Sequence, residues 1–140
     1  MKFKFFPHTA DAKFQAYGKT LDEAFSNAAL AMFSIMVDAK SVDKKISKKI
    51  SVKAFDLNAL LYKFLERLLY FLDTQYFFLA GVKRLKVVKK GKGFSLSCEV
   101  VGDKFREKYE LLGSVKAVTY NQMFVKKVKG KYVLQVVVDL

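Results

Sequence analysis

From Lys13 onward the residues alternate. Phe14, Ala16 and Gly18 fall on one side and Lys13, Gln15 and Tyr17 on the other, the period-two pattern of a strand with one face against a core. The period changes at Thr20. Thr20-Leu21-Asp22-Glu23 has the form of a capping box, in which the threonine hydroxyl accepts from an orphan amide while the glutamate reaches back. Leu21, Ala24, Phe25, Ala28, Met32 and Ile35 then recur at helical spacing and predict an amphipathic helix of about four or five turns.

Ile46 to Lys53 mixes apolar and lysine positions, as a strand with one exposed face does. Asp56 is a good N-cap for a second helix, in which Lys63, Glu66, Arg67 and Tyr70 form a narrow polar stripe. Almost every other side of that helix must be covered, so it is expected at the centre of the core. Phe77 to Val88, Phe94 to Val101, Val115 to Thr119, Met123 to Val128 and Tyr132 to Val138 read as further strands, with a hairpin at Lys129-Gly130-Lys131. Asp103 to Leu112 fits a short helix or a loop. This order predicts an α+β fold, two amphipathic helices packed on largely antiparallel β-sheet, in one compact domain over residues 1–140.

Composition narrows the setting. With 140 residues, 52% of them hydrophobic, the chain can bury one sizeable core. Cys98 is the only cysteine, so neither an intrachain disulfide nor a cysteine zinc cluster can form, and a reducing, cytoplasmic location fits. Lys2 and Lys4 are followed by Pro7, His8 and Asp11 where a secretory leader would need an apolar run, so no secretory address is expected. Leu57 to Leu72 is interrupted by Lys63, Glu66 and Arg67 and falls short of the roughly 20 apolar residues that span a bilayer, so no membrane partner is expected.

The net charge is +13, from 26 Lys plus Arg against 13 Asp plus Glu. Residues 1–38 are balanced; the excess is gathered in KSVDKKISKKISVK, KRLKVVKKGK and KKVKGK. Such clusters attract phosphate polymers or acidic partners, although a solvated lysine surface is the simpler account. Arg67, Arg84 and Arg106 are the only arginines, which argues against sequence-specific reading of bases.

Candidate chemistry is sparse. One histidine, one cysteine and no nucleophile elbow disfavour covalent catalysis, Cys98 reads as a buried thiol, and no phosphate-binding glycine loop is present. Most acids sit at helix starts, beside lysines or on a polar stripe, where caps and surface pairs explain them. Asp11 and Asp139 differ: one precedes the strand at Lys13 and the other closes the apolar run Val133 to Val138. Asp139 is either a solvated strand end or, if the first and last strands are neighbours, a member of an all-oxygen site with Asp11 and oxygens of Leu140. Such a site suits a hard cation, Ca²⁺ or Mg²⁺. His8 is then a hydrogen-bonding support for that cluster or a packed turn residue.

The stretch HTADAKFQAYGKTLDEAFSNAALAMFSIMVD, the motif VKAVTY and the closing VVVDL together resemble the archease family, accessory proteins of the RtcB-type RNA-splicing ligase. The resemblance covers essentially the whole chain. It implies a divalent cation, calcium first with Mg²⁺ or Mn²⁺ as alternatives, held by Asp11, Asp139 and a backbone oxygen of Leu140. It also implies a part in ligase activation for Lys116, the lysine of VKAVTY. Pro7 stands where an acidic residue is common in the family and Asn121 where histidine is frequent, so neither an extra ligand nor an imidazole is carried over there.

The implied function is not catalytic: such a protein promotes guanylylation and multiple turnover of the ligase in tRNA splicing, and any tRNA contact of its own is indirect or weak. The alternative is a basic RNA-binding module that delivers or chaperones tRNA. A stand-alone metal-dependent hydrolase is disfavoured because no convincing general base stands beside the ion.

Overall fold

Seven strands and two long helices make up most of residues 1–140, all of which the computed structural model describes. β1 (Phe3–Phe6) and β2 (Asp11–Gly18) lead into α1 (Leu21–Ser34), a single 3-10 turn (Ala39–Ser41), β3 (Ile46–Ala54) and α2 (Leu57–Gln75). β4 (Phe77–Lys90), β5 (Gly93–Lys104), β6 (Ala117–Val128) and β7 (Lys131–Asp139) follow. The strands form two antiparallel sheets, ordered β1-β2-β7-β6 and β3-β5-β4.

Local sequence chemistry sets the helix boundaries. Thr20 Oγ1 accepts from the Glu23 amide at 3.1 Å, and Glu23 Oε1 reaches back to the Lys19 amide at 3.3 Å. Asp56 caps α2 by accepting from the Ala59 amide at 2.7 Å, and the helix stops where Tyr76 turns left-handed at φ 55°.

Both helices touch strands of both sheets: α1 meets β2 and β7 of one and β4 of the other, α2 meets β6 of one and β3 and β5 of the other. They therefore lie between the sheets. The expectation that α2 is the innermost helix is corrected. α1 exposes only Glu23, and its alanines Ala24, Ala28, Ala29 and Ala31 are fully buried, because small side chains let both sheets approach it closely. α2 keeps the expected stripe of Lys63, Glu66, Arg67 and Tyr70 in solvent while Leu60, Leu61, Phe64, Leu65 and Leu68 are buried.

Three further details differ from the sequence reading or decide between its alternatives. The runs expected as separate strands at 115–119 and 123–128 are one strand, β6, with a register shift between Thr119 and Phe124 where Gln122 turns left-handed at φ 56°. Residues 105–116 are a loop with one turn and no helix. Asp103, which the sequence reading did not single out, is completely buried. Its carboxylate accepts from Tyr109 Oη at 2.6 Å, Arg106 Nε at 2.7 Å and the Lys104 amide at 2.9 Å. Together with the bond from the Leu112 amide to Met36 O at 2.8 Å, this holds the loop that delivers Lys116 to the start of β6. The expected hairpin is present: Lys129 and Gly130, at φ 50° and 82°, are the two-residue turn joining Val128 to Lys131.

Candidate functional site

β7 is central in its sheet and buried on both faces from Val133 to Val138. Its apolar run ends at Asp139, and the antiparallel register puts Asp139 directly opposite Asp11 on β2 and opposite Ala117 on β6. Direct partners in such a ladder point to the same face with Cβ atoms about 4.5–5.5 Å apart, and two like charges there repel unless something neutralises them. The two chain ends do meet, but through the second strand rather than the first: β2, not β1, is the neighbour of β7, because β1 lies at the sheet edge and pairs only with β2.

Several groups converge on this pair. The His8 ring hydrogen-bonds Asp11 through Nδ1 and lies 3.4 Å from the Gln122 amide through Nε2, so with Nδ1 protonated the imidazole donates to the carboxylate and accepts from the glutamine. Ala10 enters β2 in the left-handed region, φ 64°, a conformation uncommon for alanine that turns the chain between His8 and Asp11. Lys116 donates its backbone amide to Asp139 O at 2.8 Å, and its side chain is exposed. Leu140 follows directly and is 41% exposed, so its oxygens are reachable from the same end of the sheet. No three His, Cys, Asp or Glu side chains gather around one point. A cation here would draw on two carboxylates and on backbone oxygens, a hard-donor set that fits Ca²⁺ or Mg²⁺ and excludes soft-ligand sites.

A glutamine network behind the pair is absent from the sequence reading. Gln15 Nε2 donates to Gln135 Oε1 at 3.0 Å, Gln135 Nε2 donates to Gln122 O at 2.8 Å, and Lys13 Nζ donates to Gln122 Oε1 at 3.0 Å. Through Gln122 and His8 it reaches Asp11. The β6 irregularity makes this possible, since the left-handed turn at Gln122 aims both its backbone oxygen and its side chain at β2 and β7. One signal was available: Gln135 is a lone amide inside VLQVVVD, where a buried polar group requires partners. The outer end of VKAVTY is fixed on α2 by the stacked rings of Tyr120 and Tyr62, 4.3 Å between centroids.

Cys98 takes no part. It is 8% exposed in β5, and burial pushes its thiol up to about 12.

An α+β domain with two helices between antiparallel sheets, and with paired aspartates where β2 and the last strand, β7, meet, defines a narrow structural class. The model of the archease protein family matches residues 3–140. The archease of Sulfolobus acidocaldarius is 38% identical over 140 residues, with 99% of each chain covered, and that of Methanosarcina barkeri is 36% identical over 144 residues, with 99% of this chain and 96% of that protein covered. The solution structure of Methanobacterium thermoautotrophicum protein 1598 superposes with a TM-score of 0.87 at 36% identity over 99% of both chains. A Thermotoga maritima structure described as an archease and possible chaperone shares the fold, TM-score 0.61 at 15% identity, over 98% of this chain and 96% of that one. The chain belongs to the archease family. No helix in it is long and apolar enough to cross a membrane.

Proposed function

We propose that this protein activates an RtcB-type RNA-splicing ligase in tRNA splicing, promoting guanylylation of the ligase and its repeated turnover. One observation carries the reading: Asp11 and Asp139 are direct cross-strand partners, with the Lys116 amide on the Asp139 carbonyl. Asp11, Asp139 and an oxygen of Leu140 hold a divalent cation, calcium first, with Mg²⁺ or Mn²⁺ able to replace it. The cation offsets the repulsion between the two carboxylates and presents a positive centre at the end of a rigid sheet. Lys116, a flexible point charge beside it, contacts a ligase carboxylate or the phosphates of the ligase's nucleotide. His8 positions Asp11 and is itself fixed by Gln122.

The same geometry supports a cofactor protein rather than a catalyst. His8 is the one imidazole near the pair, and both its ring nitrogens already have partners, which leaves it poorly placed as a general base for water. The test mixes the protein with its cognate ligase, GTP and Mn²⁺ and follows guanylylation. Wild type is expected to raise it, and Asp11→Ala, Asp139→Ala and Lys116→Ala to lose most of that stimulation. No stimulation by wild type, or full stimulation by both aspartate variants, contradicts the reading.

A further inference from the structure

A groove of about 470 Å³ lies where the tip of the β4–β5 hairpin meets the end of β3 and the side of α2. Four lysines line it: Lys53 from β3, Lys63 from α2, and Lys90 and Lys92 from the hairpin. Among them Phe55 is 87% exposed, although a phenylalanine is normally kept from water. Lys53 and Lys63 also line a second groove that continues along α2 past Arg67 to Tyr70, which is 55% exposed. Lys63, Arg67 and Tyr70 follow at helical steps of four and three residues, so they line one face of α2 over roughly 10 Å.

None of these five cations has an ion-pair partner; the Lys63 ammonium donates to Lys53 O at 2.8 Å, which fixes it at the junction of the two grooves. Glu66 is the one carboxylate lining either groove, and Asp56 beside Phe55 is engaged in capping α2. The paired aspartates are on the other sheet, so this surface is separate from the site above and stands or falls independently of ligase activation.

We propose that this groove binds single-stranded nucleic acid. Unpaired lysines follow a phosphate backbone without reading sequence, and exposed aromatic rings at both ends give stacking faces for bases of any identity, the combination that single-strand binders use. An acidic peptide would satisfy the lysines but would leave Phe55 and Tyr70 without a role.

The test measures fluorescence anisotropy of a labelled short oligouridylate at several salt concentrations with the full chain. Substituting Lys53→Gln, Lys63→Gln and Lys92→Gln together is expected to weaken binding at least about tenfold and to lower the salt slope by about 2, since each phosphate that is no longer neutralised takes away about 0.7. Phe55→Ala, at a position too exposed to affect folding, is expected to weaken binding about fivefold or more with the salt slope unchanged. A control, Lys126→Gln with Lys127→Gln and Lys129→Gln on the β6–β7 hairpin, is expected to change affinity far less. The proposal is overturned if wild type fails to bind at low salt, if the control loses as much affinity as the groove variant, if Phe55→Ala binds like wild type, or if polyglutamate competes as well as the RNA.

Discussion

Asp103→Asn probes the buried carboxylate that anchors the loop leading to Lys116. Its hydrogen bond from Arg106 is the main influence holding the carboxyl down at about 2 against an ordinary 3.8; burial opposes this, and the Tyr109 hydroxyl and the Lys104 amide reinforce it. The fall from 3.8 to about 2 corresponds to roughly 2–3 kcal/mol favouring the folded state. The Arg106 side chain is 48% exposed, so water screens part of that, and about 2 kcal/mol is the working figure. Because the folded-state value lies below the unfolded one, this stability is fully present above pH 3.8 and is lost as the pH falls toward 2. Urea unfolding followed by circular dichroism is expected to show the asparagine variant less stable by about 2 kcal/mol at neutral pH, with the gap closing in acid. Guanylylation of the ligase should fall with it, since the loop before Lys116 loosens. A gap below about 0.5 kcal/mol at neutral pH, or one of equal size near pH 2, refutes the reasoning.

Other expectations follow from packing and burial. At Gly102 an added Cβ would stand 1.9 Å from Phe78 O and 2.9 Å from the Phe77 ring, so Gly102→Ala should cost about 3 kcal/mol or more in a urea melt, because backbone cannot give way as a side chain can. Native Cys98 should react with a thiol reagent at mildly alkaline pH only as fast as the protein opens, and at the rate of a free thiol once unfolded; fast labelling of the native state would show that its burial is misjudged. Calcium should raise the melting temperature of wild type, whereas Asp11→Asn with Asp139→Asn should abolish the shift and leave the cation-free protein no less stable, since two opposed carboxylates have been neutralised.

The sequence shows how far pattern reaches in this fold. The alternation at Lys13 to Gly18, the caps at Thr20 and Asp56 and the polar stripe of α2 are local signals, and each has its structural counterpart at the same residues. The continuity of β6 was hidden because the bulge at Tyr120 to Gln122 exposes three residues in a row and breaks the period. The central place of α1 was hidden because alanine contributes little to a hydropathy pattern, yet its small size is what lets the helix sit between two sheets.

The candidate site divides the same way. Asp11 and Asp139 were identifiable as acids with no local explanation, while Gln15, Gln122 and Gln135 read as ordinary strand residues until the register brought them together. Asp103 was concealed by the charged residues after it, and only the tertiary fold encloses it with Tyr109 and Arg106.

The proposed joint action on the ligase belongs to carboxylates of two strands, β2 and β7, that meet only in the folded sheet. Its most direct test counts RNA joining events per ligase molecule with GTP present, comparing wild type, Asp139→Asn and Lys116→Ala. Many joined products per ligase are expected with wild type and about one or fewer with Asp139→Asn, with Lys116→Ala similarly impaired although its cation-induced thermal shift is retained. Multiple turnover sustained equally by wild type and Asp139→Asn would contradict it.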